Sequence, residues 1–312
     1  MMGRNGRCNT RRIKPILPAR ELKISKGGHA MTLSRRMTSL VFAAALTVAN
    51  AAAFAHDESK YPDWSGQWRR PQGVGVQWDP SKPPGPGQQA PLTAEFQKVF
   101  DASLADQKAG GQGGDPTYTC IPPGMPRAMT VVFPMEIVIL PNVTYVLQEY
   151  ASMIRRIYTD GRRIPNDEEP AFLGYSVGQW RDTDGDGKFD TLEVETRNVK
   201  GPRSFDSSGL PLHPDSKTVV RERIYLDKGN KDLLRNEITT TDNALARPWT
   251  VMKTYQREPN AKTIWFEYVC AEGNHHVVLG KENYFVSDDG FLMPARKGQA
   301  KPDLKYFDQP AR

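Results

Sequence analysis

Alternation of apolar and polar positions dominates the chain from about residue 131 onward. The stretches "MEIVIL", "VTYVLQEY", "SMIRRIYT", "DTLEVETRN", "KTVVRERIYL", "DLLRNEITTT", "WTVMKTYQRE" and "TIWFEYVC" are rich in β-branched and aromatic residues, and many repeat with period two. That is the pattern of half-buried strands. Short turn signals separate them, such as Pro141-Asn142, Asp160-Gly161 and Lys228-Gly229-Asn230, so successive strands are expected to pair antiparallel. A sheet of this many strands has exposed edges unless it closes. The predicted fold is therefore mainly β: an antiparallel up-and-down barrel, lipocalin-like or calycin-like. "WSGQW" (64–68) and "VGQW" (177–180) fit that shape, because glycine allows close approach while an indole plugs a barrel end. One stretch has helical period instead. Phe96, Val99, Phe100 and Leu104 predict a helix over about 94–108 with Thr93 as its N-cap.

The N-terminal part divides further. Residues 31–55, "MTLSRRMTSLVFAAALTVANAAAFA", read as a signal peptide: a basic start, an apolar run, then small residues before a cleavage point at Ala55-His56. The run is too short for a comfortable transmembrane span. The mature chain is expected to be periplasmic or secreted, by the general or the twin-arginine route, with no transmembrane span. Residues 1–30 are basic and lack an apolar face, as expected of an extension from a start codon placed too early, with Met31 the true start. Residues 56–115 form an expected N-terminal arm, with a Pro/Gly/Gln-rich stretch at 69–91 that cannot bury a core. Residues 116–312 are the expected barrel domain.

Removing the leader changes the charge. The full chain has 42 Lys and Arg against 36 Asp and Glu. Residues 1–55 hold ten of the former and one of the latter, leaving 32 against 35. With no basic surplus, nucleic acid is not an expected partner. P-loop, dinucleotide and G-x-S-x-G patterns are absent, so no nucleotide cofactor is expected. Cys8 lies in the leader. Cys120 and Cys270 remain as an even pair, read as a disulfide in an exported protein, or else as two buried thiols.

The sharpest motif is "RDTDGDGKFDTLEVETRN" (181–198). Asp182, Asp184, Asp186, Gly187, the Lys188 carbonyl, Asp190 and Glu193 match the spacing of a calcium loop in full. Both flanks read as strands, so the expected object is a hairpin at 182–193 whose turn holds structural calcium. A sensor would need a helix pair that opens, and none flanks this loop. The alternative is a solvated acidic turn.

Charged residues also alternate within strands. Glu149, Arg221 and Glu237 fall in register with apolar neighbours, so either some charges enter the barrel or these positions reach solvent at strand ends. The catalytic candidates are Arg127, Glu149, Arg156, Glu272 and His275. The candidate ligand contacts are Trp180, Trp249, Tyr158 and Arg221. His275 and His276 are adjacent and would face opposite ways in a strand, and no zinc-type spacing is present.

"DPTYTCIPPGMPRAM" (115–129), "IRRIYTDGR" (154–162), "FLGYSVGQW" (172–180), "ITTTDNALARPWTV" (238–251) and "FEYVCAEGN" (266–274) together resemble a family of secreted, uncharacterised Gram-negative bacterial proteins, often present in several copies per genome. The resemblance covers most of the mature chain. It implies export and a β-rich fold, and brings no established activity. The recurring polar groups it carries over are Cys120, Arg127, Arg156, Asp160, Arg162, Trp180, Trp249, Glu267, Cys270, Glu272 and Asn274. Where the family commonly reads C-H-E-G-N, this chain has Ala271. The acidic loop looks like an insertion into the family's short hairpin. Three functions remain open: binding of a small, partly apolar ligand; an enzyme of the same fold (lyase, isomerase or hydrolase) using Arg, Glu and His groups in the lumen; and an envelope structural or interaction protein. Oligomeric state is not legible.

Overall fold

The structure is a computed structural model and describes residues 57–71, 78–165, 167, 169–260, 262–270, 276–279, 282–286 and 291–301. The predicted leader, Glu272 and His275 lie outside them. Seven of the eight alternating stretches become β2 (Met135–Leu140), β3 (Val143–Gln148), β4 (Met153–Tyr158), β6 (Thr191–Arg197), β7 (Val219–Leu226), β8 (Leu233–Thr241) and β9 (Trp249–Arg257), and the strand expected before the acidic loop becomes β5 (Tyr175–Arg181). With β1 (Gln67–Arg69) they close a barrel in chain order. The closing strand thus comes from the segment expected to be an arm, and it pairs antiparallel with both β2 and β9.

Nine strands cannot alternate up and down all the way round. An odd number forces one parallel junction, and it falls between β4 and β5, where Ile157 pairs with Ser176 and Tyr158 with Val177. A parallel junction needs a crossover, which residues 159–174 supply. Glycine makes the close approach possible. A Cβ on Gly178 would lie 2.8 Å from the Ile157 side chain, and one on Gly174, at φ +64°, would lie 2.5 Å from the Arg197 carbonyl.

Pairing registers fix the inward set. Trp68, Met135, Ile137, Val146, Ile157, Leu192, Val220, Ile224, Leu234, Ile238 and Val251 form the buried apolar lining. Several polar side chains face inward with them, among them Gln148, Arg155, Glu222, Asn236, Lys253 and Tyr255, all at most 3% exposed. One end of the barrel is plugged by Trp249 against Phe205 and Trp78, with ring centroids 4.7 and 5.3 Å apart. The other end is covered by the N-terminal arm: Trp64 and Tyr61 pack on Trp180 at 4.9 and 5.3 Å.

The helix α1 spans Ala94–Lys108, and Thr93 Oγ1 accepts from the Phe96 amide at 3.4 Å. Its expected apolar face is only partly used. Phe100 packs on the core, whereas Val99 and Leu104 stay exposed. A small sheet of β10 (His276–Leu279), β11 (Glu282–Val286) and β12 (Leu292–Pro294) lies outside the barrel. The stretch "TIWFEYVC" is not a strand. The disulfide Cys120–Cys270 holds its end, Phe266 N donates to Glu149, and Tyr268 packs on Tyr150 and Phe133. No helix among the described residues is long and apolar enough to cross a membrane.

The disulfide joins residues 150 apart in sequence, so its loss removes a long-loop constraint on the unfolded chain of about 3–5 kcal/mol. Thiol labelling of the chain from residue 56, unfolded without reductant, is expected to find no free cysteine. Reduction is expected to lower the denaturation midpoint. A labelled Cys120 or Cys270 would contradict the pairing.

Candidate functional site

The residues singled out in the sequence do not gather at one point. Arg127 is buried and donates to both carboxylate oxygens of Asp115 and to Ser204 Oγ, tying two loops together. Glu149 is buried and caps the Phe266 amide at 3.1 Å. Arg156 lies on the outer face of β4, over the Tyr145 ring. Tyr158 is also outward, stacked on Tyr175 beneath the Arg162 guanidinium. Arg221 is outward and pairs with Glu195 at 2.9 Å. Trp180 and Trp249 face inward but plug opposite ends.

The charged pair inside the barrel is one residue away from two of these candidates. Arg155 Nη1 donates to Glu222 Oε1 at 3.1 Å, and Nη2 donates to Oε2. Arg155 also reaches Ser176 Oγ and Thr196 Oγ1 at 3.3 and 3.0 Å, while Asn236 Nδ2 donates to Glu222 at 2.9 Å. Tyr255 donates its phenol proton to the Met129 carbonyl. Burial first, with Glu222 nearby, pushes that phenol up. The hydrophobic pattern does carry a signal for part of this. In "VVRERIYL" the face of Val220, Glu222, Ile224 and Leu226 is more apolar than the face of Arg221 and Arg223. In "MIRRIY" each face carries one arginine, and the pattern does not choose.

The acidic loop links β5 to β6 at the arm end of the barrel. Carboxylate oxygens of Asp182, Asp184 and Asp190 lie within 4.8 Å of one another. Asp182 is fixed by amides of Gly185 and Gly187 at 2.7 and 2.9 Å. Burial raises the Asp190 carboxyl, but hydrogen bonds from Thr191 and Thr183 outweigh it and hold the group below its usual range. Asp186 turns back to the Lys188 amide. Glu193 sits in β6 and pairs with Arg181 at 2.8 Å, so the last position of the motif is committed elsewhere. The strand flanks explain this: on β6 the Glu193 side chain stands on the outer face, opposite Gln179. Three carboxylates are hard oxygen donors of the kind calcium takes.

Two large clefts border this loop. The first, about 990 Å³, is lined by Tyr61, Phe189 and Tyr225, by Asp184, Asp186 and Asp190, and by Lys228, Lys231 and Arg257. The second, about 960 Å³, lies over the outer faces of β5 to β8. Neither is lined by Arg155 or Lys253, while Glu222 borders the second. The loop also clasps the arm: Phe189 N donates to the Lys60 carbonyl at 2.7 Å, and its ring meets Tyr61 at 5.1 Å. Comparison with protein-family models finds no match, and neither does comparison with curated proteins.

Lys253 gives the interior a measurable property. Burial, then the positive charge of Arg70, pushes its amine down to about 7, against the pull of Asp206. A lysine in the unfolded chain titrates near 10.5, so the unfolded state binds more protons between these limits. Stability contributed by this group is complete above the unfolded value and is lost as pH falls toward 7, by up to about 1.4 kcal/mol per pH unit. Denaturation midpoints are expected to climb between pH 7 and 9.5 in wild type and to stay flatter in Lys253→Met. Equal slopes would show that the amine stays charged in the fold.

Proposed function

We propose that the chain is an extracytoplasmic barrel protein that binds a small, partly apolar ligand at the arm end of the barrel, beside a loop that holds structural calcium. One observation carries this reading: the 990 Å³ cleft, where aromatic rings, loop carboxylates and lysines converge on a single opening. Ligand sites are concave, with apolar walls and a few placed polar groups. The barrel interior supports scaffolding instead, since Arg155 and Glu222 are paired and buried, and only Glu222 of the two borders a cleft, the second one. The disulfide fits an oxidising compartment.

Calcium in this reading has a mechanical role. Carboxylates of Asp182, Asp184 and Asp190 repel one another when no cation lies between them. A cation removes that repulsion and stiffens the turn, and through Phe189 it fixes Lys60 and Tyr61 of the arm. The wall of the cleft is then set before any ligand arrives, which lowers the ordering cost of binding.

The expected outcomes are specific. With a Kd of about 0.1–1 mM, as in other extracellular sites, 10 mM calcium stabilises by about 1.4–2.7 kcal/mol, a Tm rise of several degrees. Magnesium does less. Asp184→Asn abolishes the shift, whereas Asp186→Asn, whose carboxylate accepts from the Lys188 amide and is not one of the three clustered groups, keeps most of it. The amphiphilic dye anilinonaphthalene sulfonate binds the native protein saturably, and Tyr225→Ala weakens it about fivefold, near 1 kcal/mol. An unchanged melting curve with calcium contradicts the metal reading. Dye binding that is absent, or unaffected by Tyr225→Ala, contradicts the ligand site.

A further inference from the structure

The arm-end cleft continues past Phe189. Tyr61, Phe189 and Arg223 line both clefts, so the two share a wall and form one groove. The second part crosses β5, β6, β7 and β8 over a ladder of charged pairs. Arg181 pairs with Glu193 at 2.8 Å, Arg221 with Glu195 at 2.9 Å and Arg223 with Glu237 at 3.9 Å. At the β4 side Arg162 pairs with Asp160 and lies 4.0 Å over the Tyr158 ring.

The chemistry of this lining selects against ions. Each of the four arginines already has a carboxylate partner, so an anionic ligand meets glutamates as well as guanidiniums, and a cationic one meets the reverse. Each pair nevertheless keeps hydrogen-bonding capacity, because a guanidinium carries five N–H donors and a carboxylate about four acceptor sites. Hydroxyl groups, which donate and accept, match such a surface without breaking a pair. The aromatic rings at the arm end add flat apolar surface, and a sugar ring has a C–H face that packs on such rings. We propose that the groove takes a neutral oligosaccharide chain, one ring of which is the ligand of the arm-end cleft. This rests on the reading of that cleft given above and extends it to a chain lying across the outer face of the sheet.

Affinity electrophoresis of the chain from residue 56 tests this, using gels that contain neutral polysaccharides (galactomannan, mixed-linkage β-glucan, dextran) or polyanions (alginate, heparin). Retardation is expected in at least one neutral gel and in neither polyanion gel. By calorimetry, a hexasaccharide cut from the retarding polymer is expected to bind about tenfold tighter than its disaccharide, because it reaches both parts of the groove. Gln179→Trp fills the outer part without removing a charged pair, and Glu237→Ala removes one. Both are expected to weaken the hexasaccharide about tenfold while leaving the disaccharide and the calcium shift unchanged. Retardation by polyanions alone overturns the inference. Hexasaccharide binding that Gln179→Trp leaves intact also overturns it. If no neutral gel retards the protein while the calcium and dye responses persist, the glycan assignment fails and the arm-end reading stands.

Discussion

The ion pair of Arg155 and Glu222 is what the barrel closes upon. Backbone pairing across the parallel junction is confined to Ile157 with Ser176 and Tyr158 with Val177, whereas every other junction from β2 to β9 has a longer ladder. Arg155 spans that junction from inside. It leaves β4, touches Ser176 on β5 and Thr196 on β6, and ends on Glu222 of β7, which Asn236 of β8 holds in turn. Removing two charges from water is costly, and only good geometry with further hydrogen bonds offsets it. Here the pair and its extra partners Ser176, Thr196 and Asn236 together lie on five consecutive strands, so the pair is satisfied only when those strands are in register. A one-residue slip would put Arg156 or Arg221 inside and break the set.

A core specified this way leaves little room for a ligand among its charged groups. On the function proposed here, binding then falls to the surface the barrel displays. The arm end is the place where chain segments far apart in sequence meet: Lys60 and Tyr61 from the arm, Phe189 from the acidic loop, Tyr225 and Lys228 from β7 and its turn, and Arg257 from β9. Arg257 lies 4.4 Å over the Trp68 ring and donates to the Ser65 and Asp63 carbonyls, so it binds arm to barrel as well. The acidic loop brings carboxylates of Asp182, Asp184 and Asp190 within 4.8 Å of one another, and through Phe189 it meets the arm at the cleft wall.

Much of the fold was legible because strand period and turn chemistry are local. Seven barrel strands, the helix and the cysteine pair follow from alternation, a Thr cap and an even count, and β5 follows as the flank of the acidic loop. What failed was non-local. Gln67–Arg69 is too short to show a period, and only its pairing with β2 and β9 makes it a strand. "TIWFEYVC" has strand-like residues but finds no ladder, because β1 already closes the barrel beside β9. The buried charges were missed by one position, since "MIRRIY" offers an arginine to either face. The loop motif was visible in full, yet whether Glu193 joins it depends on Arg181 across the hairpin, which spacing does not report.

A double-mutant cycle on Arg155 and Glu222, read for both stability and dye binding, tests the central claim that this pair closes the barrel and is not the binding site. Arg155→Met and Glu222→Met each strand a buried charge, and each is predicted to cost about 3–5 kcal/mol. The double variant is predicted to regain most of that loss, because an apolar pair has no charge to desolvate, and to keep wild-type dye and calcium responses. A double variant that folds as well as wild type but no longer binds the dye would contradict the account and move the site into the barrel.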